Sequence, residues 1–164
     1  MPAVDSNTGT CWVEIDLNAL RSNFRVVKKT FHRNVPVLAV VKANGYGHGA
    51  VHVAHTALAS GASRLAVARV EEGIQLRKAG VVSPILVMGY TMPAEIDQSV
   101  AHGLTSTLSG PEAAELLSHR AVALRKLARA HVKIDTGMGR YGLLPGEVLA
   151  FLEHASQLPC LELE

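Results

Sequence analysis

The sequence predicts an α/β fold in which helices cover a parallel sheet. Short apolar runs of strand length alternate with longer segments whose apolar residues recur at helical spacing, as in parallel strands joined by right-handed crossovers. The run 37–41 is also continuously apolar, which is typical of a strand buried on both faces. This pattern fits an open doubly wound sheet and a closed (β/α)8 barrel equally well.

The first elements can be justified residue by residue. Residues 11–15 are predicted as a short strand, and Asp16 suits the N-cap of the helix that follows. One apolar face of this helix is formed by residues at helical spacing: Leu17, Leu20, Phe24, Val27 and Phe31. The next predicted strand covers 37–42. A predicted helix from about 48 to 59 then ends at Gly61.

The same alternation continues along the rest of the chain. Further strands are predicted over 65–68, 85–88, 104–107 and 130–135, and from Leu161 onward. Helices are predicted over 70–79, 93–101, 111 to about 127, and 145–155. Pro111 suits the first turn of its helix, and Gly80 suits the position just after one. Not counting the segment 11–15, about six strands result, whereas a closed barrel has eight.

Composition and charge narrow the classes of protein. The chain has 164 residues, of which 48% are hydrophobic and 18% charged, so we expect a globular domain. A net charge of +2 and the lack of a basic cluster argue against a nucleic-acid partner. The amino terminus lacks the layout of a signal peptide, and no apolar run approaches the length of a membrane span. Cys11 and Cys160 follow no metal-ligand spacing, so we expect a reduced, cytoplasmic protein.

Lys42 stands at the carboxyl end of the apolar run and is followed by a glycine-rich stretch, NGYGHG, at 44–49. An amine at that end of a strand lies at the rim of a parallel α/β fold, where ligand sites form. It could serve there as a nucleophilic or Schiff-base lysine. The alternative is a lysine whose charged end extends into water, and position alone favours this alternative.

A second polar segment, KIDTGMGR, covers 133–140. His131, Lys133 and Asp135 alternate with apolar residues, so they share one face of a strand. These ionisable groups face a barrel interior if the apolar residues face outer helices. Alternatively, they form the solvent-exposed face of an edge strand. Arg140 lies in the following loop, where a guanidinium could bind a carboxylate through two parallel hydrogen bonds.

His48, His52 and His55 are spaced by four and three residues, which places them near one face of a helix. Metal ligands can have this spacing. However, no carboxylate or cysteine at a useful spacing accompanies them, and surface or packing roles are more frequent for such histidines. We therefore predict no metal site.

Two long blocks in the chain, 40–49 (VVKANGYGHG) and 133–140 (KIDTGMGR), resemble the signature blocks of the alanine racemases, pyridoxal 5'-phosphate enzymes of fold-type III. Between them, 61–68 and 84–88 match in order and spacing, and the resemblance runs from about Trp12 to the last residue. It implies a (β/α)8 barrel of the TIM type, here an incomplete barrel of about six βα units. Residues 1–164 would be the N-terminal part of the barrel domain, with the strand 11–15 outside the barrel. The remainder of the barrel and a C-terminal β-domain would be absent.

The resemblance also implies roles for four residues. Lys42 would carry pyridoxal phosphate as a Schiff base and exchange the Cα proton on the D-face of the substrate. Tyr46 would donate a hydrogen bond to the phosphate of the cofactor; a tyrosine packing over the barrel mouth is the alternative. Arg140 would bind the substrate, and a carbamylated Lys133 would orient Arg140.

The function implied is that of an alanine racemase, interconverting L-alanine and D-alanine through a pyridoxal-phosphate aldimine and supplying D-alanine for peptidoglycan. The family works as a cytoplasmic homodimer, in which a tyrosine of the partner subunit acts on the other face of Cα. Neither Tyr90 nor Tyr141 lies in a matching block, so we expect weak or no activity from this chain alone. A non-catalytic pyridoxal-phosphate-binding barrel protein, a racemase of another amino acid such as serine, and an inactive fragment remain alternatives.

Overall fold

The computed structural model describes residues 11–30 and 35–164, in which six parallel strands form one sheet. The strands are β1 Leu38–Val40, β2 Arg64–Val67, β3 Ile85–Val87, β4 Thr105–Leu108, β5 Ala128–Val132 and β6 Leu161–Leu163. Each strand pairs with the next along the chain, in the spatial order β1 to β6. The predicted succession of about six βα units is therefore confirmed.

Helices connect the strands and cover one face of the sheet. They are Ala50–Ala59, Val70–Lys78, Ile96–Ala101, Pro111–Ala123 and Val148–Ala155. A further helix, Leu17–Thr30, precedes β1, has no buried residues and contacts helix Ala50–Ala59. The 3-10 turns Pro93–Glu95 and Pro145–Glu147 precede two of these helices, each with proline at the first turn. Among residues 11–30 and 35–164, no helix is both long and apolar enough to cross a bilayer.

The predicted strand at 11–15 is wrong. These residues carry no regular structure, and Trp12 and Val13 are 67% and 80% exposed. A high β propensity does not by itself make a segment a strand, because a strand needs a hydrogen-bonded neighbour. None of the described strands provides one for residues 11–15. The N-cap prediction is confirmed, since Asp16 Oδ1 accepts hydrogen bonds from the backbone N–H groups of Asn18 (2.7 Å) and Ala19 (3.1 Å). Phe31 lies outside the described residues.

Two apolar clusters fix the helices on the sheet. The first lies between β1–β3 and the helices that follow β1 and β2, and its centre includes the fully buried Leu65, Val67, Ile85 and Val87. The second lies between β4–β6 and the last three helices, around Leu108, Leu117, Ala130 and Phe151. Burying one such aliphatic side chain stabilises the folded state by about 1.5–3 kcal/mol. These clusters use every second strand residue, which leaves the intervening side chains to the opposite face.

Charged side chains occupy that opposite face. Glu164, directly after β6, forms ion pairs with Arg64 on β2, with Arg129 on β5 (3.5 Å) and with His131 on β5 (3.7 Å). Glu162 lies 3.0 Å from Arg129. Part of the face away from the helices thus carries paired charges, and His131 lies on this face, as the alternation predicted.

Candidate functional site at the carboxyl ends of the strands

Lys42 follows β1 and begins a left-handed turn, Lys42–Tyr46. The preceding Val41 is 1% exposed, and its N–H donates to Ala66 O on β2 at 2.8 Å. The four residues after Lys42 have positive φ angles: Ala43 51°, Asn44 53°, Gly45 64° and Tyr46 54°. This conformation costs about 1–2 kcal/mol for each residue with a Cβ, so surrounding contacts must hold it. The predicted strand 37–42 therefore ends two residues early, and Lys42 is half-buried at the start of the turn.

Hydrogen bonds within the glycine-rich stretch hold this turn. Gly45 N donates to Val41 O at 2.9 Å, and Gly47 N donates to Ala43 O at 3.0 Å. The Asn44 side-chain oxygen accepts a hydrogen bond of 2.9 Å from Ala50 N, the first residue of the next helix. The turn is thereby joined to helix Ala50–Ala59.

His48 lies two residues after this turn and contacts it. Its Nδ1 lies 3.1 Å from Gly45 O and 2.9 Å from Tyr46 O, where a protonated Nδ1 donates to a carbonyl oxygen. His55 belongs to helix Ala50–Ala59 and contacts the end of helix Val70–Lys78, where its Nε2 lies 3.2 Å from Ala79 O. Across the described part of the chain, no three histidine, cysteine or acidic side chains form a possible metal centre.

Tyr46 is 58% exposed and borders a cavity of about 480 Å³. Leu20 and Asn23 of helix Leu17–Thr30 line the other side of this cavity, and Lys42 is not among its lining residues. The phenol group is therefore accessible at the rim.

Glu72 was missed by the sequence analysis. Its Oε1 accepts a hydrogen bond of 2.6 Å from Ala43 N, next to Lys42. Its Oε2 accepts from Ala68 N (2.7 Å) and Arg69 N (3.1 Å), just after β2. A glutamate at the third position of a helix signals an N-terminal cap, so the bond to Arg69 could have been anticipated. The bond to Ala43 could not, because it depends on how β1 and β2 pair.

Lys133 follows β5, so it lies at the same carboxyl edge of the parallel sheet as Lys42. Its Nζ donates to Ile134 O at 3.0 Å and lies 5.7 Å from the ring centroid of Tyr141. The Tyr141 hydroxyl donates to Met88 O, just after β3, and burial raises the pKa of this phenol. The segment after β5 is thus attached to the end of β3.

Asp135 organises the loop that carries Arg140. Its Oδ1 accepts hydrogen bonds from Gly137 N (3.0 Å) and Gly139 N (3.1 Å), and these N–H groups lower the pKa of the carboxyl. The expected interior position of Asp135 is thereby corrected: its carboxylate binds its own loop, beyond the end of β5. The loop closes where Gly142 passes the backbone, since a Cβ there would lie 2.9 Å from Lys133 O.

Arg140 lies exposed at the tip of this loop. Its guanidinium contacts Met138 Sδ at 3.0 Å. Within the described residues, no hydrogen bond or ion pair connects Arg140 to Lys133 or Lys42. The four predicted site residues therefore share one edge of the sheet, in two groups: Lys42 with Tyr46 after β1, and Lys133 with Arg140 after β5.

Comparison with known proteins tests the resemblance. Residues 15–164 match the family model described as alanine racemase, N-terminal domain. The chain belongs to this family. The alanine racemase of Symbiobacterium thermophilum is 45% identical over 153 residues, which cover 93% of this chain and 40% of that relative. The chain thus spans about two fifths of the length of the curated relatives that it matches.

Solved structures support the assignment to the alanine racemase family. The alanine racemase of Clostridium difficile 630, in complex with cycloserine, has a TM-score of 0.88 and 37% identity over 90% of this chain and 41% of that one. The histidine racemase of Leuconostoc mesenteroides subsp. sake has a TM-score of 0.82 and 25% identity over 88% and 39%. The predicted incomplete barrel of the TIM type is therefore confirmed.

Proposed function

We propose that this chain is the N-terminal, cofactor-bearing part of the barrel domain of an alanine racemase. The observation that carries the proposal is the placement of Lys42, a half-buried residue with a primary amine at the carboxyl edge of the sheet. Among the described residues, no ion pair engages this amine. A primary amine in this position fits the aldehyde of pyridoxal 5'-phosphate, and the exposed Tyr46 phenol fits its phosphate.

The bound cofactor would supply an electron sink that makes the Cα proton of an amino acid acidic. Lys42 Nζ would hold the cofactor covalently and, after the substrate displaces it, move the Cα proton on the D-face. Tyr46 would orient the phosphate by donating a hydrogen bond. The wider proposal includes L-alanine and D-alanine as substrates, a cytoplasmic homodimer, and the supply of D-alanine for peptidoglycan.

Arg140 would bind the carboxylate of the small amino-acid substrate. Both Lys133 and Arg140 follow β5, and two cations serving one small site would repel each other. Carbamylation of Lys133 would remove this repulsion, because addition of CO2 to the neutral amine releases a proton and leaves an anion. Native mass spectrometry of the intact chain should then show an added mass of about 44 daltons, about the mass of CO2.

A racemase of another amino acid is the second candidate. It is favoured by the likeness in fold to a histidine racemase, because the same barrel is used there with a different named substrate. Assays with separate L-amino acids, applied to any form of the protein that turns over, distinguish the two candidates.

The cofactor-binding proposal can be tested by covalent trapping. The chain is mixed with pyridoxal phosphate, reduced with borohydride and digested, and the labelled lysines are identified by mass spectrometry. We expect the label on Lys42 in wild type, together with a new absorption band that is lost in Lys42→Ala. Lys78→Ala, which removes an exposed lysine, should retain both signals. Equal labelling of Lys42 and Lys78 would overturn the proposal.

A further inference from the structure

The Glu72 carboxylate joins the carboxyl ends of two adjacent strands. Oε1 accepts from Ala43 N, directly after Lys42, at 2.6 Å. Oε2 accepts from Ala68 N and Arg69 N, directly after β2, at 2.7 and 3.1 Å. Three backbone donors therefore converge on one half-buried side chain. Hydrogen bonds to an ionised acceptor are stronger than neutral ones.

Helix capping explains only part of this arrangement. Glu72 is the third residue of helix Val70–Lys78, and the bond from Arg69 N to Oε2 is the ordinary contact of such a cap. This cap uses Glu72 Oε2 and does not require Oε1. That oxygen binds Ala43, which lies 29 residues earlier in the chain and belongs to another element.

The hydrogen bond from Ala43 N to Glu72 lies at the start of the backbone segment with unfavourable φ angles. Ala43 is the first residue of the left-handed turn, and its N–H belongs to the peptide bond with Lys42. A hydrogen bond at this N–H fixes the plane of that peptide. The direction in which Lys42 leaves the main chain depends on the same plane, since each peptide unit is rigid. Glu72 therefore acts on Lys42 through the backbone.

We infer that Glu72 is a positioning residue, which holds the left-handed turn and thereby aims the amine of Lys42 at the cofactor. This inference rests on the proposed cofactor-binding function of Lys42. Glu72 itself does not touch the reacting atoms in this account. Its contribution lies in keeping one peptide plane in place.

The variant Glu72→Gln tests this role, with Glu71→Gln as the matched control. Both remove one negative charge from the first turn of the same helix, so their effect on the helix dipole is similar. Glu71 is exposed and, among the described residues, its carboxylate pairs with Arg69 at 3.5 Å. The glutamine amide has a single acceptor oxygen. It should keep the two donors after β2 and leave Ala43 N without a partner.

Two readouts are compared among wild type and both variants. Amide hydrogen exchange in the cofactor-free chain should become about tenfold faster at Ala43 in Glu72→Gln only. Borohydride-trapped label on Lys42, relative to that on Lys78, should fall about tenfold in the same variant. Melting followed by circular dichroism verifies that both variants are folded.

The outcomes separate the two proposals. Exchange at Ala43 that is as slow in Glu72→Gln as in Glu71→Gln overturns the inference, with or without cofactor. Faster exchange with unchanged labelling of Lys42 also overturns it, because the amine is then aimed without Glu72. No selective label on Lys42 in wild type overturns the proposed function instead, and the exchange result still decides whether Glu72 holds the turn.

Discussion

Arg64 on β2 donates a hydrogen bond to Glu164, the residue directly after β6, across the face of the sheet that the helices leave open. Neighbouring strands lie about 4.8 Å apart, so strands four positions apart would be roughly 19 Å apart in a flat sheet. The side chains of Arg64 and Glu164 are too short to meet across that distance. The contact therefore shows that the six strands curve toward each other, as the strands of a barrel do.

Replacing Arg64 by methionine should lower the free energy of unfolding modestly. The Arg64 side chain is 37% exposed and Glu164 is 20% exposed, so solvent screens much of the attraction. We expect a loss of about 0.5–1 kcal/mol in urea unfolding. Arg25→Met, at an exposed position on the first helix, should change the free energy of unfolding by less than half of that. Equal effects of the two substitutions would assign no role to the pair.

The Asp97–Arg120 pair should make stability depend on acid pH. Arg120 Nε lies 2.6 Å from Asp97 Oδ1, and hydrogen bonding with the guanidinium lowers the pKa of the Asp97 carboxyl. A carboxyl with a lowered pKa stabilises the fold above its unfolded pKa of about 3.9, and this stability is lost as pH falls through the folded value.

Urea unfolding of wild type and Asp97→Asn at pH 7 and pH 3 measures this contribution. The variant should be less stable than wild type at pH 7, and the difference should shrink at pH 3. Glu153→Gln serves as the control for removal of an exposed carboxylate. A difference that stays constant between the two pH values would exclude the proposed ionic origin.

Asp135→Ala should loosen the loop that carries Arg140. The carboxylate oxygen accepts from the backbone of Gly137 and Gly139, and both donors lose their partner in the variant. Exchange of these two amide hydrogens should become about tenfold faster. Asp135→Asn keeps an oxygen at the same place and should stay near wild type. If alanine and asparagine behave alike, the hydrogen bonds do not hold the loop.

Leu65→Ala should be among the most destabilising substitutions in the sheet. Leu65 on β2 is fully buried, at 0% exposure, in the cluster beneath the helices that follow β1 and β2. Removing three carbons there leaves a cavity, which costs about 2–5 kcal/mol in the free energy of unfolding. Val82→Ala, at a side chain that is 92% exposed, should remain within about 0.5 kcal/mol of wild type. Chemical denaturation of both variants makes the comparison.

The sequence was sufficient to predict the order of the elements, because apolar periodicity is a local signal. The strand around Leu65 was recognisable in that way, and the helix cap at Asp16 was recognisable from its residue type and position. The prediction for residues 11–15 was wrong, because their sequence is typical of a strand but they pair with none of the described strands. Pairing between strands is a property of the folded chain and leaves no mark within a single segment.

The candidate site residues stay predictions. Lys42 and Arg140 were chosen because the blocks 40–49 and 133–140 resemble the signature blocks of the alanine racemases. The role of Glu72 depends on a hydrogen bond to Ala43, between elements that the sheet brings together. Positive φ at Ala43 was also hidden, because alanine rarely adopts it and nothing in the local sequence demands it.

The turn after Lys42 is, in effect, a piece of mirror-image helix built from L-residues. Ala43, with φ 51° and ψ 51°, has the backbone angles that a D-amino acid adopts without strain. Its side chain is exposed, so a methyl group of opposite configuration meets water rather than the core. A chain prepared by chemical ligation with D-alanine at position 43 should therefore be more stable than the natural one, at a position where handedness itself is the source of the strain.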